Sequence, residues 1–252
     1  MSIKAVVLAA GKGTRLQTEG TDLPKVMRHA LGEPLLHYVL TAIDFIPPED
    51  TIIVVGYQKE KVTAHFSGYV FAEQREQLGT GHAVMAAREA LDQGDFPVLV
   101  CYGDMPLLRR ETYENLVRVH LEEQNVCTIL TGTTELPLPF GRIVRDATGR
   151  FQEVVEDRDC TSEQKAIREL NVGVYVFQSV PLLDALGRLG CANSQGEYYL
   201  TDVPAILQGD GLRIGICKRE LGEEIIGVNT LEQLYQVEDA LKNRRSQRGT
   251  GK

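Results

Sequence analysis

The chain has 252 residues, 27 of them basic and 35 acidic, and a formal net charge of −8. A composition of 43% hydrophobic and 25% charged residues is typical of a globular protein and excludes disordered, collagen-like and coiled-coil chains. Proteins that bind a nucleic-acid backbone normally carry net positive charge, so the acidic balance argues against nucleic acid as a partner.

The apolar segments and the cysteines indicate the compartment in which the protein works. No apolar run reaches the length of a membrane span, and the run from Ala5 to Ala10 is too short for a secretory signal. The five cysteines are odd in number and none has Cys-x-x-Cys spacing, which argues against a disulfide framework and a zinc knuckle. We therefore expect a cytoplasmic protein with reduced thiols and no membrane association.

Short apolar strands alternate with amphipathic helices along the first half of the chain. The patterns predict strands at 3–8, 51–55, 69–72, 97–102 and 126–131, and helices at 34–46, 58–66, 80–92 and 109–124. This alternation is typical of an α/β fold with a Rossmann-like, mostly parallel central sheet and helices on both faces.

The pattern changes after residue 135. It predicts a hairpin with strands at 141–145 and 151–155, a strand at 170–177, a helical segment at 193–210 and a terminal helix with an apolar stripe, Leu231, Leu234, Val237 and Leu241. We expect a single domain over 1–240, in which residues 1–135 bind a nucleotide and residues 136–240 add a smaller mixed β layer. The basic residues within 241–252 indicate a solvated, flexible tail.

A glycine-rich loop, Leu8-Ala-Ala-Gly11-Lys12-Gly13-Thr14-Arg15-Leu16, directly follows the first strand. Ligands bind α/β sheets at the carboxyl ends of the strands, and small residues there allow backbone N–H groups to approach phosphate oxygens. The loop lacks the Walker pattern, because Val6 takes the place of its first glycine. It also lacks the dinucleotide fingerprint, because Leu16 takes the place of the third glycine. A plain turn remains the alternative to a phosphate site.

Charged residues near this loop favour the phosphate site. Lys12, Arg15 and Lys25 concentrate positive charge in an otherwise acidic chain, as an anion pocket requires. Asp104 follows an apolar strand, where its carboxylate can bind magnesium beside substrate phosphates. The alternative is that this aspartate caps a turn.

The segment 74–82 precedes a predicted helix and is suited to contact with a base. The amide of Gln74 offers both a donor and an acceptor to a pyrimidine edge, and the nearby glycines permit backbone contact with a flat ring. Thr80 is alternatively the N-cap of the helix. His82 has no serine or cysteine motif beside it, and we interpret it as a structural residue.

Short segments along the chain match one enzyme family in order and approximate spacing. They are LAAGKGTRL (8–16), LPKVM (23–27), QLGTGHA (77–83), YGDMPL (102–107), FGRIVR (140–145), VVEDRD (154–159), ELNVGVYVF (169–177), QGEYYLTD (195–202) and GVNTLEQL (227–234). The chain resembles sugar-1-phosphate nucleotidylyltransferases. It is most similar to the N-terminal uridylyltransferase domains of bacterial bifunctional N-acetylglucosamine-1-phosphate uridylyltransferase/glucosamine-1-phosphate acetyltransferases. The resemblance implies the nucleotide-diphospho-sugar transferase fold.

The resemblance also implies an activity and the residues that support it. The activity is transfer of uridylyl from UTP to a sugar-1-phosphate, with release of pyrophosphate and Mg²⁺ as cofactor. Residues implied to be catalytic are Arg15, Lys25 and Asp104. Residues implied to bind the nucleotide are Leu8, Ala9, Ala10, Gly11, Lys25, Gln74, Gly79, Thr80, Tyr102 and Gly103. Residues implied to bind the N-acetylhexosamine phosphate, in the sugar-binding half 136–240, are Gly141, Glu156, Asn171 and Asn229. Asp104 and Asn229 would hold the magnesium ion, and we expect them to converge beside the glycine-rich loop.

Some positions depart from the family pattern and leave alternatives open. Phe140 replaces a tyrosine and Val172 replaces a threonine beside the expected sugar pocket, so a different sugar-1-phosphate or base is one alternative. A non-catalytic nucleotide-sugar sensor is another, and a nicotinamide dehydrogenase is a third that Leu16 disfavours. The chain has none of the hexapeptide repeats of the family's acetyltransferase domain, so we expect no acetyltransferase activity. The resemblance leaves the oligomeric state of this chain open.

Overall fold

The structure, a computed structural model, describes residues 3–13, 16, 23–133 and 138–249. Its strands are β1 (Lys4–Leu8), β2 (His29–Ala30), β3 (Glu33–Pro34), β4 (Thr51–Val55), β5 (Val70–Glu73), β6 (Pro97–Tyr102), β7 (Cys127–Thr133), β8 (Arg142–Arg145), β9 (Phe151–Val155), β10 (Glu169–Gln178) and β11 (Ile214–Arg219). Its helices are α1 (Leu35–Ala42), α2 (Lys59–His65), α3 (Thr80–Ala86), α4 (Arg88–Leu91), α5 (Arg110–Glu122), α6 (Ser162–Lys165), α7 (Ser179–Leu186), α8 (Val203–Gly209) and α9 (Leu231–Gly249).

The strands form a central, mostly parallel sheet in the order β11-β7-β10-β6-β1-β4-β5. Only β10 in this series runs antiparallel to its neighbours, β6 and β7. The hairpin of β8 and β9 extends the sheet where Arg142 pairs with Leu170 of β10. The short strands β2 and β3 pair separately. This arrangement confirms the predicted α/β fold with a mixed β layer in its second half.

Alternation of apolar residues along the strands gives the sheet a hydrophobic core on each face. In β1, Ala5 and Val7 pack toward α1, α2 and α5, whereas Val6 and Leu8 pack toward α3, α4, α7 and α8. A third cluster joins α9 to Leu16 and neighbouring segments. Within the described ranges, no helix combines the length and the apolar character needed to cross a bilayer.

Main-chain hydrogen bonds bring the carboxyl ends of β1, β4 and β6 to one edge of the sheet. The N–H of Gly103 donates to the carbonyl of Leu8 at 3.0 Å, and the N–H of Ala9 donates to the carbonyl of Val54 at 2.9 Å. Because β10 is antiparallel to β6, the beginning of β10, including Gly173, reaches the same edge. This edge is where α/β sheets bind ligands.

The helix predicted at 80–92 consists of two helices, α3 and α4, that meet at Ala87. The N–H of Ala87 donates to the carbonyl of Val84 at 3.0 Å. This hydrogen bond joins residues three apart, as in a 3-10 helix, and not four apart, as in an α-helix. The strands predicted at 51–55 and 97–102 agree with β4 and β6 at both ends.

The helix predicted over 193–210 is wrong at its start. Residues 193–199 form a loop around Asn193, whose side-chain oxygen accepts hydrogen bonds from the N–H groups of Gln195 and Glu197, both at 3.2 Å. An asparagine that bonds to the backbone after it competes with helix formation, so the polar start of the segment stays a loop. The helix α8 begins at Val203, after a 3-10 turn.

In the segment predicted as a flexible tail from residue 241, α9 continues to Gly249. Arg244 donates from Nη1 to the carbonyl of Leu107 at 2.7 Å and from Nε to Glu223 at 2.9 Å. Lysine, arginine and glutamine favour helices, so a basic composition does not end the helix. Residues 250–252 lie outside the described residues.

Candidate active site

A cavity of about 470 Å³ lies at the carboxyl edge of the sheet and takes residues from both halves of the chain. Predicted site residues that line it are Leu8, Ala9, Ala10, Gly11, Lys25, Gln74, Gly79, Thr80, Tyr102, Asp104, Gly141, Glu156, Asn171 and Asn229. Gly103 does not line the cavity, because it packs behind it against Leu36 and Val26. Arg15 lies outside the described residues.

Lys25 lines the cavity and lies between two oxygen acceptors. Its ammonium pairs with the carboxylate of Asp104 and donates to Oδ1 of Asn229 at 2.7 Å. The N–H of Val228 donates to the carbonyl of Asp104 at 2.9 Å, which ties the two distant segments together. The side chains of Lys25 and Asp104 are only 15% and 17% exposed, so their charges interact more strongly than at an open surface.

The oxygen atoms of Asp104 and Asn229 fit a divalent ion. A carboxylate and an amide oxygen are the hard ligands that magnesium prefers, and in this structure both already face one cation, the ammonium of Lys25. Among the described residues, no group of three or more His, Cys, Asp or Glu side chains could hold a metal by itself. The protein would therefore supply two ligands, and phosphate oxygens or water would complete the coordination.

One end of the cavity is built around the buried amide of Gln74. Its Nε2 donates to the carbonyl of Gly79 at 3.0 Å and lies 3.2 Å from Nδ1 of His82. Gly79 has a φ of 109°, and a Cβ there would lie 2.6 Å from the carbonyl oxygen of Tyr198. Only glycine allows this close approach of the two loops.

The loop after Gln74 is anchored to the second half of the chain. The N–H of Tyr198 donates to the carbonyl of Leu78, and the N–H of Gly81 donates to the carbonyl of Tyr198, both at 2.8 Å. The hydroxyl of Thr80 accepts from the N–H of Leu200 at 3.0 Å. Gly79 is the N-cap of α3, so Thr80 is not the N-cap predicted as its alternative role.

Glu156, from the second half of the chain, also lines the cavity. The hydroxyl of Thr201 donates to Oε1 of Glu156 at 3.0 Å. Burial raises the pKa of Glu156, and the nearby carboxylates of Asp202, Asp159 and Asp157 raise it further, against the lowering effect of the Thr201 hydrogen bond.

Asn171, which lines the cavity as well, lies beside a bulge in β10. The register between β10 and β7 shifts between Asn171 and Tyr175. The N–H of Asn171 donates to the carbonyl of Gly141 at 2.8 Å, and its Oδ1 accepts from the N–H of Gly173 at 3.2 Å. Gly173 has a φ of 82° and lies so close to the ring of Tyr102 that a Cβ would be 2.4 Å from it.

A second compartment of about 410 Å³ adjoins the Glu156 end. It shares Phe140, Glu156 and Asn229 with the main cavity, and extends toward Arg158 and Gln233. Together the two compartments form a cleft in which Gln74, Lys25 and Asp104 line the main cavity only.

Residues 5–173 match the family described as MobA-like NTP transferase domain. The chain belongs to this family. It is 40% identical over 245 residues to the bifunctional protein GlmU of Streptococcus thermophilus and 41% identical over 246 residues to that of Alkaliphilus metalliredigens. Each match covers 97% of this chain and 53% of the relative, so the chain spans about half the length of the curated relatives it matches.

A solved structure supports the fold independently. UDP-glucose pyrophosphorylase complexed with UDP-glucose superimposes with a TM-score of 0.78, covering 97% of this chain and 100% of that one, at 17% sequence identity. The resemblance to sugar-1-phosphate nucleotidylyltransferases is confirmed, and the chain is a nucleotidyltransferase of this kind.

The cavity of this nucleotidyltransferase includes residues to which the sequence interpretation gave no role. Among them are Gln195, Glu197 and Tyr199, from the loop predicted as helix, and Gly173 in β10. The run Asn-Ser-Gln-Gly at 193–196 is typical of loops and could have corrected the helix. The proximity of Gly173 to Tyr102 depends on the pairing of β10 with β6, for which the sequence contains no local signal.

Proposed function

We propose that the domain transfers uridylyl from UTP to N-acetylglucosamine-1-phosphate and releases pyrophosphate, with Mg²⁺ as the metal. The observation that carries the proposal is the convergence of Lys25, Asp104 and Asn229 in the cavity. A reacting phosphate at this point would meet positive charge and metal ligands, with room for a base on one side and a sugar on the other. Identity of about 40% to GlmU along nearly the whole chain supports the same activity.

The base would bind at the Gln74 end, and the sugar at the Glu156 end. Gln74, Gly79 and Thr80 would contact uracil, while Leu8, Ala9, Ala10, Gly11, Tyr102 and Gly103 would form the nucleotide side of the site. In this second group, Gly103 does not line the cavity, so it would support the residues that do. On the sugar side, Gly141, Glu156 and Asn171 would contact the N-acetylhexosamine. Residues 1–135 and 136–240 would then supply the nucleotide and sugar halves of one domain.

The reaction needs positioning and charge neutralisation more than proton transfer. A sugar phosphate is ionised and nucleophilic at neutral pH, so the site requires no general base. Lys25 would offset negative charge on the phosphates, and Arg15 would stabilise the departing pyrophosphate. Asp104 and Asn229 would hold Mg²⁺, which when bound neutralises phosphate charge and orients the reacting groups.

A substrate panel tests the proposal. The protein is incubated with Mg²⁺, each of UTP, TTP and CTP, and each of N-acetylglucosamine-1-phosphate and glucose-1-phosphate, and pyrophosphate release is measured. The proposal predicts the highest rate for UTP with N-acetylglucosamine-1-phosphate, and no release when Mg²⁺ is removed with a chelator. A higher rate with another pair would assign another pyrophosphorylase activity. Magnesium-dependent binding of UTP without release of pyrophosphate would indicate a sensor.

A further inference from the structure

The side chain of His82 contacts the amide that faces the base end of the cavity. Gln74 is only 4% exposed, and its Nε2 has two neighbours, the carbonyl of Gly79 at 3.0 Å and Nδ1 of His82 at 3.2 Å. The Gly79 carbonyl can only accept, so it determines which end of the amide is nitrogen. Nδ1 of a neutral imidazole with its proton on Nε2 can also accept.

These two contacts use both N–H bonds of the Gln74 amide. The carbonyl oxygen, Oε1, has no hydrogen-bond partner within the part of the chain that the structure describes, and Gln74 lines the cavity. Gln74 therefore presents a pure acceptor to a ligand, although a glutamine side chain by itself could offer either a donor or an acceptor.

We propose that His82 is a positioning residue that fixes the Gln74 amide, so that the site selects pyrimidines with an N–H at ring position 3 over cytosine. Uracil and thymine carry a donor at this position, whereas cytosine carries a lone pair. A carbonyl oxygen that faces this lone pair leaves both groups without a hydrogen bond, and unsatisfied polar groups of this kind reject ligands strongly. The inference rests on the proposed function, because it requires a pyrimidine at the Gln74 end.

Loss of the His82 acceptor would free one amide N–H of Gln74. Only the Gly79 carbonyl would then oppose rotation of the amide, and a rotated amide turns an N–H toward N3 of cytosine. We expect the ratio of kcat/KM for UTP over CTP to fall about tenfold, the effect of one modest hydrogen bond. The change should occur in KM rather than kcat, because His82 lies beside the base and not beside the phosphates.

The experiment compares variants that differ in the acceptor. The imidazole of His82 packs near the ring of Tyr198. His82→Phe keeps a planar ring there but has no acceptor, and His82→Leu removes both the ring and the acceptor. His82→Asn places a side-chain oxygen near the position of Nδ1 and should keep most of the preference for UTP. His120→Phe is the matched control, because His120 is buried against Thr128 and does not line the cavity.

Equilibrium binding of UTP and CTP is measured together with kcat and KM, and thermal unfolding of each variant reports folding. A tenfold lower UTP/CTP ratio in His82→Phe and His82→Leu, with a near-normal ratio in His82→Asn and His120→Phe, supports the inference. An unchanged ratio in the folded variants without an acceptor overturns it, as does an equal loss in His82→Asn. If the wild-type protein binds no pyrimidine nucleotide, the proposed function itself fails, which is a separate outcome.

Discussion

At the scale of single residues, Lys25 carries most of the electrostatic argument. Its ammonium is mostly buried and is held between Asp104 and Asn229, so its charge acts where phosphates would react. We expect Lys25→Ala to lower turnover by about 10²–10³-fold, the effect of removing one preorganised electrostatic group. Lys59→Ala is the control, because Lys59 pairs with Glu73 at the surface. Normal turnover of Lys25→Ala at saturating substrate would refute this role.

Lys25 should also compete with a divalent ion for the same two oxygen atoms. In the absence of nucleotide, Lys25→Ala should bind Mn²⁺, a spectroscopic substitute for Mg²⁺, several-fold more tightly than the wild-type protein, because a neighbouring positive charge is lost. Electron paramagnetic resonance of unbound Mn²⁺ measures this affinity without any turnover. Unchanged or weaker binding would mean that the ion does not share these ligands.

Glu156 links the site to the pH dependence of stability. Burial and neighbouring carboxylates raise its pKa above the ordinary value of 4.5, so between the unfolded and the folded pKa the folded state retains a proton that the unfolded state releases. This stabilising contribution is present below pH 4.5 and is lost as the pH rises through the raised pKa. Glu156→Gln should therefore gain stability relative to wild type across this window, by about 0.5–2 kcal/mol at neutral pH.

Urea unfolding of both proteins at several pH values tests this expectation. The glutamine keeps an oxygen that can accept from Thr201, so the comparison isolates the charge. If Glu156 binds the sugar phosphate, the same substitution raises KM for that substrate. A stability difference that does not change with pH would contradict the assignment of the raised pKa.

At the scale of elements, the bulge in β10 shapes the cavity. Gly173 has a positive φ and touches the ring of Tyr102, whereas Gly149, in the turn between β8 and β9, has nearly the same φ of 81° but open space around it. We expect Gly149→Ala to lose about 1 kcal/mol from backbone strain alone. Gly173→Ala should lose at least about 2 kcal/mol, because the methyl group also displaces the ring. Equal losses by chemical denaturation would show that the Tyr102 contact is unimportant.

Local sequence patterns predict an element well where an apolar run has clear boundary residues at both ends. The apolar runs of β4 and β6 are bounded by prolines, glycines and charged residues, and their ends agree with the prediction. The patterns predict no element at 179–186, where α7 lies, and Pro181 in its first turn weakens the local helix signal. They predict no strand at 214–219 either, where the second half of β11, Lys218 and Arg219, is exposed and charged.

At the scale of the whole molecule, the site depends on contacts that no local pattern encodes. Family motifs pointed to Asp104 and Asn229, but their shared contact with Lys25 requires the hydrogen bond from Val228 to Asp104. The role of His82 likewise follows from its contact with Gln74, whereas the sequence suggested only a structural histidine. Sequence motifs thus predict residues that line the cavity, and only the tertiary fold shows which of them touch.

The most direct test of the account is the rate of pyrophosphate release from UTP, N-acetylglucosamine-1-phosphate and Mg²⁺, compared between the wild-type protein and Asp104→Asn. The asparagine keeps an oxygen atom at this position but removes the negative charge that faces Lys25 and would bind the metal. The account predicts rapid release by the wild-type protein and a rate at least about 10²-fold lower for a folded Asp104→Asn variant. Equal rates for the two proteins would contradict it.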